Sequence, residues 1–321
     1  MATESLIPRT TSNRCVVILR LIYDLIVESI LWFIPASFWP KKSVNDQIVL
    51  VTGAGSGLGR LLSIRFYRLG SKLVLWDINA KALDETVKMI VGEKDLHNHQ
   101  NGDHQRIWTY AIDLSDRRKI YETAENVRKN VGSVDILVNN AGLVSGKLFM
   151  DIPDEKIEAT FRVNTLAHFY TIKSFLPGMI NRNHGHIVTI ASVAGIYGVS
   201  YLTDYCASKF ANVGMHRSLL MELSQHNLDG IRTTLVMPYF INTGMFAGAR
   251  PGIFTILNQE EVADRIMQAI LTNRQEIVIP EKLGFLISLI NLTPNKSLWR
   301  IFDFIGGCEL MALFRGRQKD L

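Results

Sequence analysis

The chain of 321 residues is 47% hydrophobic and 20% charged, with a formal charge of +5. That supports one substantial core, and the absence of internal repeats or low-complexity tracts excludes a disordered or fibrous protein. Three widely spaced cysteines, Cys15, Cys206 and Cys308, suggest neither a disulfide framework nor a zinc site, and the dispersed basic residues speak against nucleic-acid binding.

Residues 15–34 are overwhelmingly apolar but carry Arg20, Asp24 and Glu28. Mid-bilayer, each charge would cost ~2.5–3.5 kcal/mol, whereas each Leu, Ile, Val or Phe returns only ~0.3–0.6 kcal/mol. The sum is near zero or unfavourable, so a true span is not secured. A spacing of four gathers the charges into one polar stripe, which suits an interfacial anchor or half of a shallow hairpin. Trp32, Phe33, Phe38 and Trp39, followed by Lys41 and Lys42, form an aromatic and basic membrane border. No small-residue cleavage site follows, which disfavours a signal peptide.

Gln47 to Val51 is a short β-branched run of the kind found in buried parallel strands. It enters the turn Thr52-Gly53-Ala54-Gly55-Ser56-Gly57-Leu58-Gly59, then a helical pattern from Arg60. Glycines there permit a tight turn and close backbone approach to a pyrophosphate resting on the helix N-terminus. The next strand, Lys72 to Trp76, ends at Asp77, whose carboxylate can accept both hydrogen bonds from an adenosine ribose and would repel a 2′-phosphate. No basic residue stands at Ser56 or Ile78 to welcome that phosphate, so NAD is favoured over NADP.

Lys94 to Arg106, with His97, His99 and His104, reads as a solvated polar loop without metal-ligand spacing. Further strands are expected at Ile107–Ile112, Val134–Val138, His186–Ala191, Thr233–Met237 and Glu276–Ile279. They are closed respectively by Asp113-Leu114, Asn139-Asn140-Ala141-Gly142, Ser192, Pro238 and Pro280. Helical patterns fill the gaps, for instance Ser115–Val131 and Asp154–Leu176. This alternation predicts an α/β, doubly wound (Rossmann-type) parallel sheet, mainly of seven strands, with helices on both faces and ligands at the strands' carboxyl ends.

Tyr205 and Lys209 are four apart, one helical turn. A lysine ammonium ~4 Å from a phenol, at an effective dielectric of ~20, favours the phenolate by ~4 kcal/mol, roughly three pKa units. That would bring the tyrosine near neutrality, where a general acid–base works best.

In this order, Thr52-Gly53-x-x-x-Gly57-x-Gly59, Asp113, Asn139-Asn140-Ala141-Gly142, Asn164, Ser192 and Tyr205-x-x-x-Lys209 resemble the short-chain dehydrogenase/reductase superfamily over roughly residues 45–285. The resemblance implies that Tyr205 exchanges a proton with a substrate alcohol or carbonyl and that Ser192 stabilises the developing charge on that oxygen. Lys209 would lower the tyrosine pKa and hold the nicotinamide ribose, and Asn164 would hold a water linking Lys209 to a proton relay. The implied cofactor site runs through Gly53, Ser56, Gly57, Leu58, Gly59, Asp77, Asp113, Leu114, Asn140, Ala141 and Gly142. It continues to Tyr205, Lys209, Pro238, Ile241 and Thr243. One departure stands out: Tyr239 occupies the position after Pro238 where the superfamily usually has glycine, which predicts a less permissive loop.

Leu75-Trp76-Asp77-Ile78-Asn79, Phe175-Leu176-Pro177, His184-Gly185-His186, Asp204 to Phe210 and Thr243-Gly244-Met245-Phe246 are similar to the membrane-associated branch. That branch contains epidermal retinol dehydrogenases and the 17β-hydroxysteroid dehydrogenases of endoplasmic reticulum and lipid droplets. It implies oxidation of a lipophilic alcohol, retinol or a hydroxysteroid, by a homodimer with a cytosolic catalytic domain. The residues themselves support the lipophilic part: Gly244 to Leu257, which should cover the substrate, offers few polar groups.

Leu283 to Leu292 is too short to span a bilayer, and Leu298 to Ile305 could be a second interfacial element or a dimer contact. The expected organisation is a membrane anchor at 1–44, a dehydrogenase domain at 45–285 and an apolar tail at 286–321. A scaffold retaining this fold with little activity is the alternative to an enzyme; intact Asn164, Ser192, Tyr205 and Lys209 favour the enzyme.

Overall fold

The computed structural model of the protein describes residues 38–92, 106–250, 252 and 255–290, with scattered positions between 18 and 34 and between 293 and 316. Seven strands form one wholly parallel sheet: β1 Ile48–Thr52, β2 Lys72–Asp77, β3 Ile107–Ala111, β4 Ile136–Asn139, β5 Gly185–Ile190, β6 Ile231–Pro238 and β7 Glu276–Ile279. Their order is β3-β2-β1-β4-β5-β6-β7. The order reverses between β1 and β4, which opens a crevice above their carboxyl ends.

Alternate residues of the strands build the two cores. Val49, Val51, Leu73, Leu75, Val188 and Val236 pack on one side against α1 (Gly57–Arg68) and α7 (Gln259–Leu271). Leu50, Val74, Trp76, Leu137 and Ile187 pack on the other against α3 (Arg117–Asn130) and α5 (Ala167–Arg182). With both faces covered, β1, β2 and β4 are apolar between their terminal residues, and these runs are why they were legible. Side-chain caps set helix starts: Asn79 Oδ1 accepts from Ala82 N at 3.1 Å ahead of α2 (Ala80–Val91), and Asp116 accepts from Arg118 N at 2.9 Å ahead of α3.

The helix expected over 154–176 is longer and interrupted. It runs as α4 (Asp154–Phe161), one wide π turn (Arg162–Leu166) and α5. Pro177 lies inside α5 because burial of Phe175 and Met179 on either side outweighs the ~3 kcal/mol cost of an interior proline. β6 begins two residues before the expected start and ends at Pro238.

His97, His99, His104, Cys15 and Cys308 lie outside the described residues; Cys206 is buried and free. Ile18, Leu19, Leu21, Ile22, Leu25 and Ile26 are exposed on helical backbone, and among the described residues no helix is long and apolar enough to cross a membrane. The chain packs onto the sheet before residue 45. Val44 is in the core, Lys42 N donates to Leu271 O at 2.8 Å, and Lys42 Nζ meets His186 Nδ1 at 2.5 Å.

Candidate active site

At the crevice between β1 and β4, the chain turns through Gly53 and Gly57, both with left-handed φ (+66° and +53°). A Cβ on Gly59 would stand 2.1 Å from Gly53 O, so only glycine lets α1 approach the turn this closely. No acidic side chain occupies the first turn of α1, and the helix's positive end is open to a phosphate.

The neighbouring strand ends close around this turn. Asn140 N and Ala141 N donate to Thr52 Oγ1 at 2.9 and 3.1 Å, and Asn140 Nδ2 donates to Thr52 O at 2.9 Å. Asp77 Oδ2 accepts from Gly55 N at 2.9 Å and Oδ1 from Asn79 N at 2.9 Å. These bonds aim the carboxylate, and each oxygen keeps acceptor capacity. Arg60, which reaches this corner, is committed to Gly55 O (2.5 Å), Thr86 Oγ1 (3.0 Å) and Glu85 Oε2 (3.1 Å).

A cleft of about 460 Å³ runs from Asp77 to Phe246. Gly53, Ser56, Gly57, Leu58, Asp77, Asp113 and Leu114 line one end, and Asn140, Ala141, Gly142, Tyr205, Lys209, Pro238, Ile241 and Thr243 line the middle, with Ser192. Of the residues expected at the site, Gly59 and Asn164 stand behind the lining. Asn164, buried in the π turn, accepts from Leu143 N at 2.7 Å and donates to Leu143 O at 2.9 Å, which fixes the loop after β4. A Cβ on Gly142 would lie 3.5 Å from Asn164 Oδ1 and 3.7 Å from Lys209 Nζ, so glycine keeps the space between those two groups open.

Tyr205 and Lys209 lie on one face of α6 (Thr203–Gln225) and are both buried. Lys209 Nζ donates to Ile190 O at 2.9 Å and stands 5.6 Å from the Tyr205 ring centroid. The Tyr205 hydroxyl is hydrogen-bonded to Ser192, whose Oγ accepts from Ala194 N at 3.1 Å. The expected lowering of the tyrosine pKa is not what the surroundings produce. Burial raises it well above 10, with the Ser192 bond opposing in part. Burial also lowers the Lys209 ammonium to about 8, so it remains mostly protonated at neutral pH.

Beyond Tyr205 the cleft turns apolar. Leu143, Ala159, Val163, Tyr239, Met245 and Phe246 line this end, and the Tyr205 and Phe246 rings meet edge to face at 5.7 Å. Tyr239 takes the usual glycine's place without a left-handed φ, its N donating to Ile279 O at 2.8 Å and its ring packing on Phe240. Leu143, Ala159 and Val163 were not singled out from sequence, because lone apolar residues on a loop and a helix carry no distinguishing pattern.

Part of the expected tail also belongs here. Leu310 and Met311 are buried with Tyr205, Cys206, Phe240 and Ala249, and Phe246 and Phe314 pack against them. Arg250 N donates to Leu310 O at 2.7 Å and Arg315 N to Ala247 O at 2.8 Å. Gly146, at φ +65°, leaves the space that the Phe314 ring fills.

This geometry has close relatives. The family model for short chain dehydrogenases matches residues 47–253. The chain is 44% identical over 285 residues to epidermal retinol dehydrogenase 2 of Homo sapiens, covering 88% of this chain and 89% of that one. It is 39% identical over 327 residues to human retinol dehydrogenase 10, covering 95% and 94%. Among solved structures, a metagenomic short-chain oxidoreductase in complex with NADP superposes with a TM-score of 0.60 at 27% identity, over 74% of this chain and 97% of that one. A short chain dehydrogenase/reductase from Burkholderia phymatum in complex with NAD shares the fold, with a TM-score of 0.67 at 23% identity over 87% and 99%. The chain belongs to the short chain dehydrogenase family and is an alcohol-type oxidoreductase.

Proposed function

We propose that the protein is a membrane-associated enzyme that oxidises a lipophilic alcohol, of the retinol or hydroxysteroid class, with NAD. The observation that carries this reading is the two-part cleft: a polar, glycine-walled trough ending at Asp77, joined at the Tyr205–Ser192 hydrogen bond to an apolar chamber. The similarity to retinol dehydrogenases supports the substrate class.

The trough fits a dinucleotide. The Gly53–Gly59 turn and the α1 N-terminus would hold the pyrophosphate, Asp77 the adenosine ribose, and Asp113 with Leu114 the adenine. Asn140, Ala141, Gly142, Pro238, Ile241 and Thr243 would flank the nicotinamide half. Asp77 and the engaged state of Arg60 support NAD over NADP. NAD, when bound, supplies the hydride acceptor and a positive charge near Tyr205.

Tyr205 would take the hydroxyl proton while Ser192 donates a hydrogen bond to the same oxygen, stabilising the alkoxide-like charge. With burial holding the phenol protonated, the phenolate needs nearby positive charge, and the Lys209 ammonium supplies part of it. Asn164 holds the Leu143 loop against this centre.

Exposed Leu148, Phe149 and Met150, on the segment between the chamber residues Leu143 and Ala159, and exposed Ile18, Leu19, Leu21, Ile22, Leu25 and Ile26 support delivery from a membrane, on endoplasmic reticulum or lipid droplets. Exposed Phe169 on α5 and Phe210 on α6 support a homodimer. The test is full-length protein in detergent with NAD or NADP and a panel of retinols, hydroxysteroids and long-chain alcohols. NADH formation with a lipophilic alcohol is expected; no turnover across the panel would leave the scaffold reading instead.

A further inference from the structure

Asp204 immediately precedes Tyr205 in the first turn of α6 and is 4% exposed. None of the proposed chemistry uses it. A helix start favours an acid, but a carboxyl group this deeply buried is costly unless a cation or hydrogen-bond donors hold it. No ion pair among the described residues includes Asp204. Instead, two hydroxyls from different parts of the chain converge on one of its oxygens. Ser145 Oγ, on the loop after β4, donates to Oδ2, and Thr160 Oγ1, in α4, donates to the same oxygen at 2.9 Å. Oδ1 is buried without a hydrogen-bond partner of good geometry among the described residues.

Both hydroxyls belong to segments that wall the apolar chamber. Ser145 is two residues after Leu143, and Thr160 stands between Ala159 and Val163; all three of those neighbours line the chamber. Thr160 is buried against Asp204, which fixes the rotation of α4 about its axis. Ser145 is flanked by Val144, which packs on the cluster containing Tyr205, and by Gly146, whose open space takes the Phe314 ring. One carboxyl oxygen thus joins the loop after β4, α4 and the start of the catalytic helix. An apolar side chain in its place would leave both hydroxyls without this acceptor. What shifts the Tyr205 phenol is burial, then Ser192 and Cys206, and Asp204 has no part in it.

We propose that Asp204 is a positioning residue for the alcohol: through Ser145 and Thr160 it holds Leu143, Ala159 and Val163 at the distance from Tyr205 that a lipophilic alcohol requires. On the dehydrogenase reading, on which this role rests, these walls grip the apolar body of the substrate. That body is the same in the ground state and the transition state, so contacts to it lower KM and leave kcat nearly unchanged. Loosening the walls weakens binding of the alcohol and spares the dinucleotide trough. A short alcohol makes fewer of these contacts and depends less on Asp204.

The experiment measures kcat and KM for a lipophilic alcohol and for NAD in full-length wild type, Asp204→Asn, Asp204→Leu, Ser145→Ala, the Ser145→Ala/Thr160→Val pair, and that pair combined with Asp204→Leu. Asn keeps an oxygen that accepts from both hydroxyls; Leu keeps the bulk without an acceptor. Asp204→Leu and the hydroxyl pair should each raise KM for the alcohol roughly tenfold, with kcat within about threefold of wild type and KM for NAD unchanged. Asp204→Asn should stay near wild type. The combined variant should be no worse than Asp204→Leu, because both changes remove the same bonds. Losses that add, an Asn variant as poor as Leu, or a fall in kcat at constant KM overturns the role. Amide hydrogen exchange over residues 143–148 is read on the same proteins. It should be faster in Asp204→Leu and the hydroxyl pair than in wild type and Asp204→Asn, and equal exchange overturns the role. Should Asp204→Leu fail to fold, Ser145→Ala, at a half-buried loop position, carries both readouts. A wild type without turnover defeats the proposed function, and the exchange rates then decide the role of Asp204 alone.

Discussion

The Lys209 ammonium stands 5.6 Å from the centroid of the Tyr205 ring and gives a hydrogen bond to Ile190 O, not to the phenol. The pair is thus a charge beside a buried phenol. Lys209 acts on Tyr205 through the field of its charge, which grows as water is excluded from the cleft. What opposes it is the burial that raises the phenol's pKa.

Asp77→Ala should relax the discrimination against NADP. The ratio of kcat/KM for NAD over NADP is expected to fall roughly tenfold or more, equivalent to ~1.4 kcal/mol. Steady-state kinetics with both cofactors measure it; a wild type that already prefers NADP contradicts the assignment.

The docked tail makes the substrate chamber depend on residues far along the chain. Met311 is 1% exposed within the cluster that contains Tyr205 and Phe240. Met311→Ala should cost about 2–5 kcal/mol of stability, raise KM for a lipophilic alcohol and leave KM for NAD nearly unchanged. Parallel changes in both constants would mean general unfolding.

Burial lowers both Lys42 and Lys209 to about 8 from 10.5, with Arg232 adding to the effect at Lys42. The unfolded chain then holds these protons at pH values where the folded chain has lost them. The penalty on the folded state is full below pH 8 and is released between about 8 and 10.5, so stability should rise with pH across that window, by at most ~1.4 kcal/mol per unit for each lysine. Tyr205 acts oppositely above about pH 10, where only the unfolded chain loses its proton. Denaturant unfolding at several pH values, with Lys42→Met removing about half the rise, checks the sign.

Deleting residues 1–40 stops short of Lys42 and Val44, which pack into the domain. The truncated protein should move from the membrane pellet to the soluble fraction; unchanged fractionation would contradict an N-terminal anchor.

Much of this was legible in the sequence because strands buried on both faces show as apolar runs, and their ends carry the polar residues that face the crevice. Asp77 and Ser192 are such residues: the ends of the apolar runs located them, and the family resemblance supplied the role of Ser192. The direction of the Tyr205 shift was not legible, since a four-residue spacing names the neighbour but not the depth of burial. Nor was the docking of Phe314 into the space left by Gly146, a contact between distant segments with no local pattern.

The measurement closest to the central claim is turnover of a lipophilic alcohol by Tyr205→Phe beside wild type, with NADH binding measured on both. Removing a single buried hydroxyl should lower kcat by at least ~10²-fold and leave NADH affinity and thermal stability close to wild type. Equal turnover by the variant would contradict the assignment of Tyr205 as the group that takes the alcohol's proton.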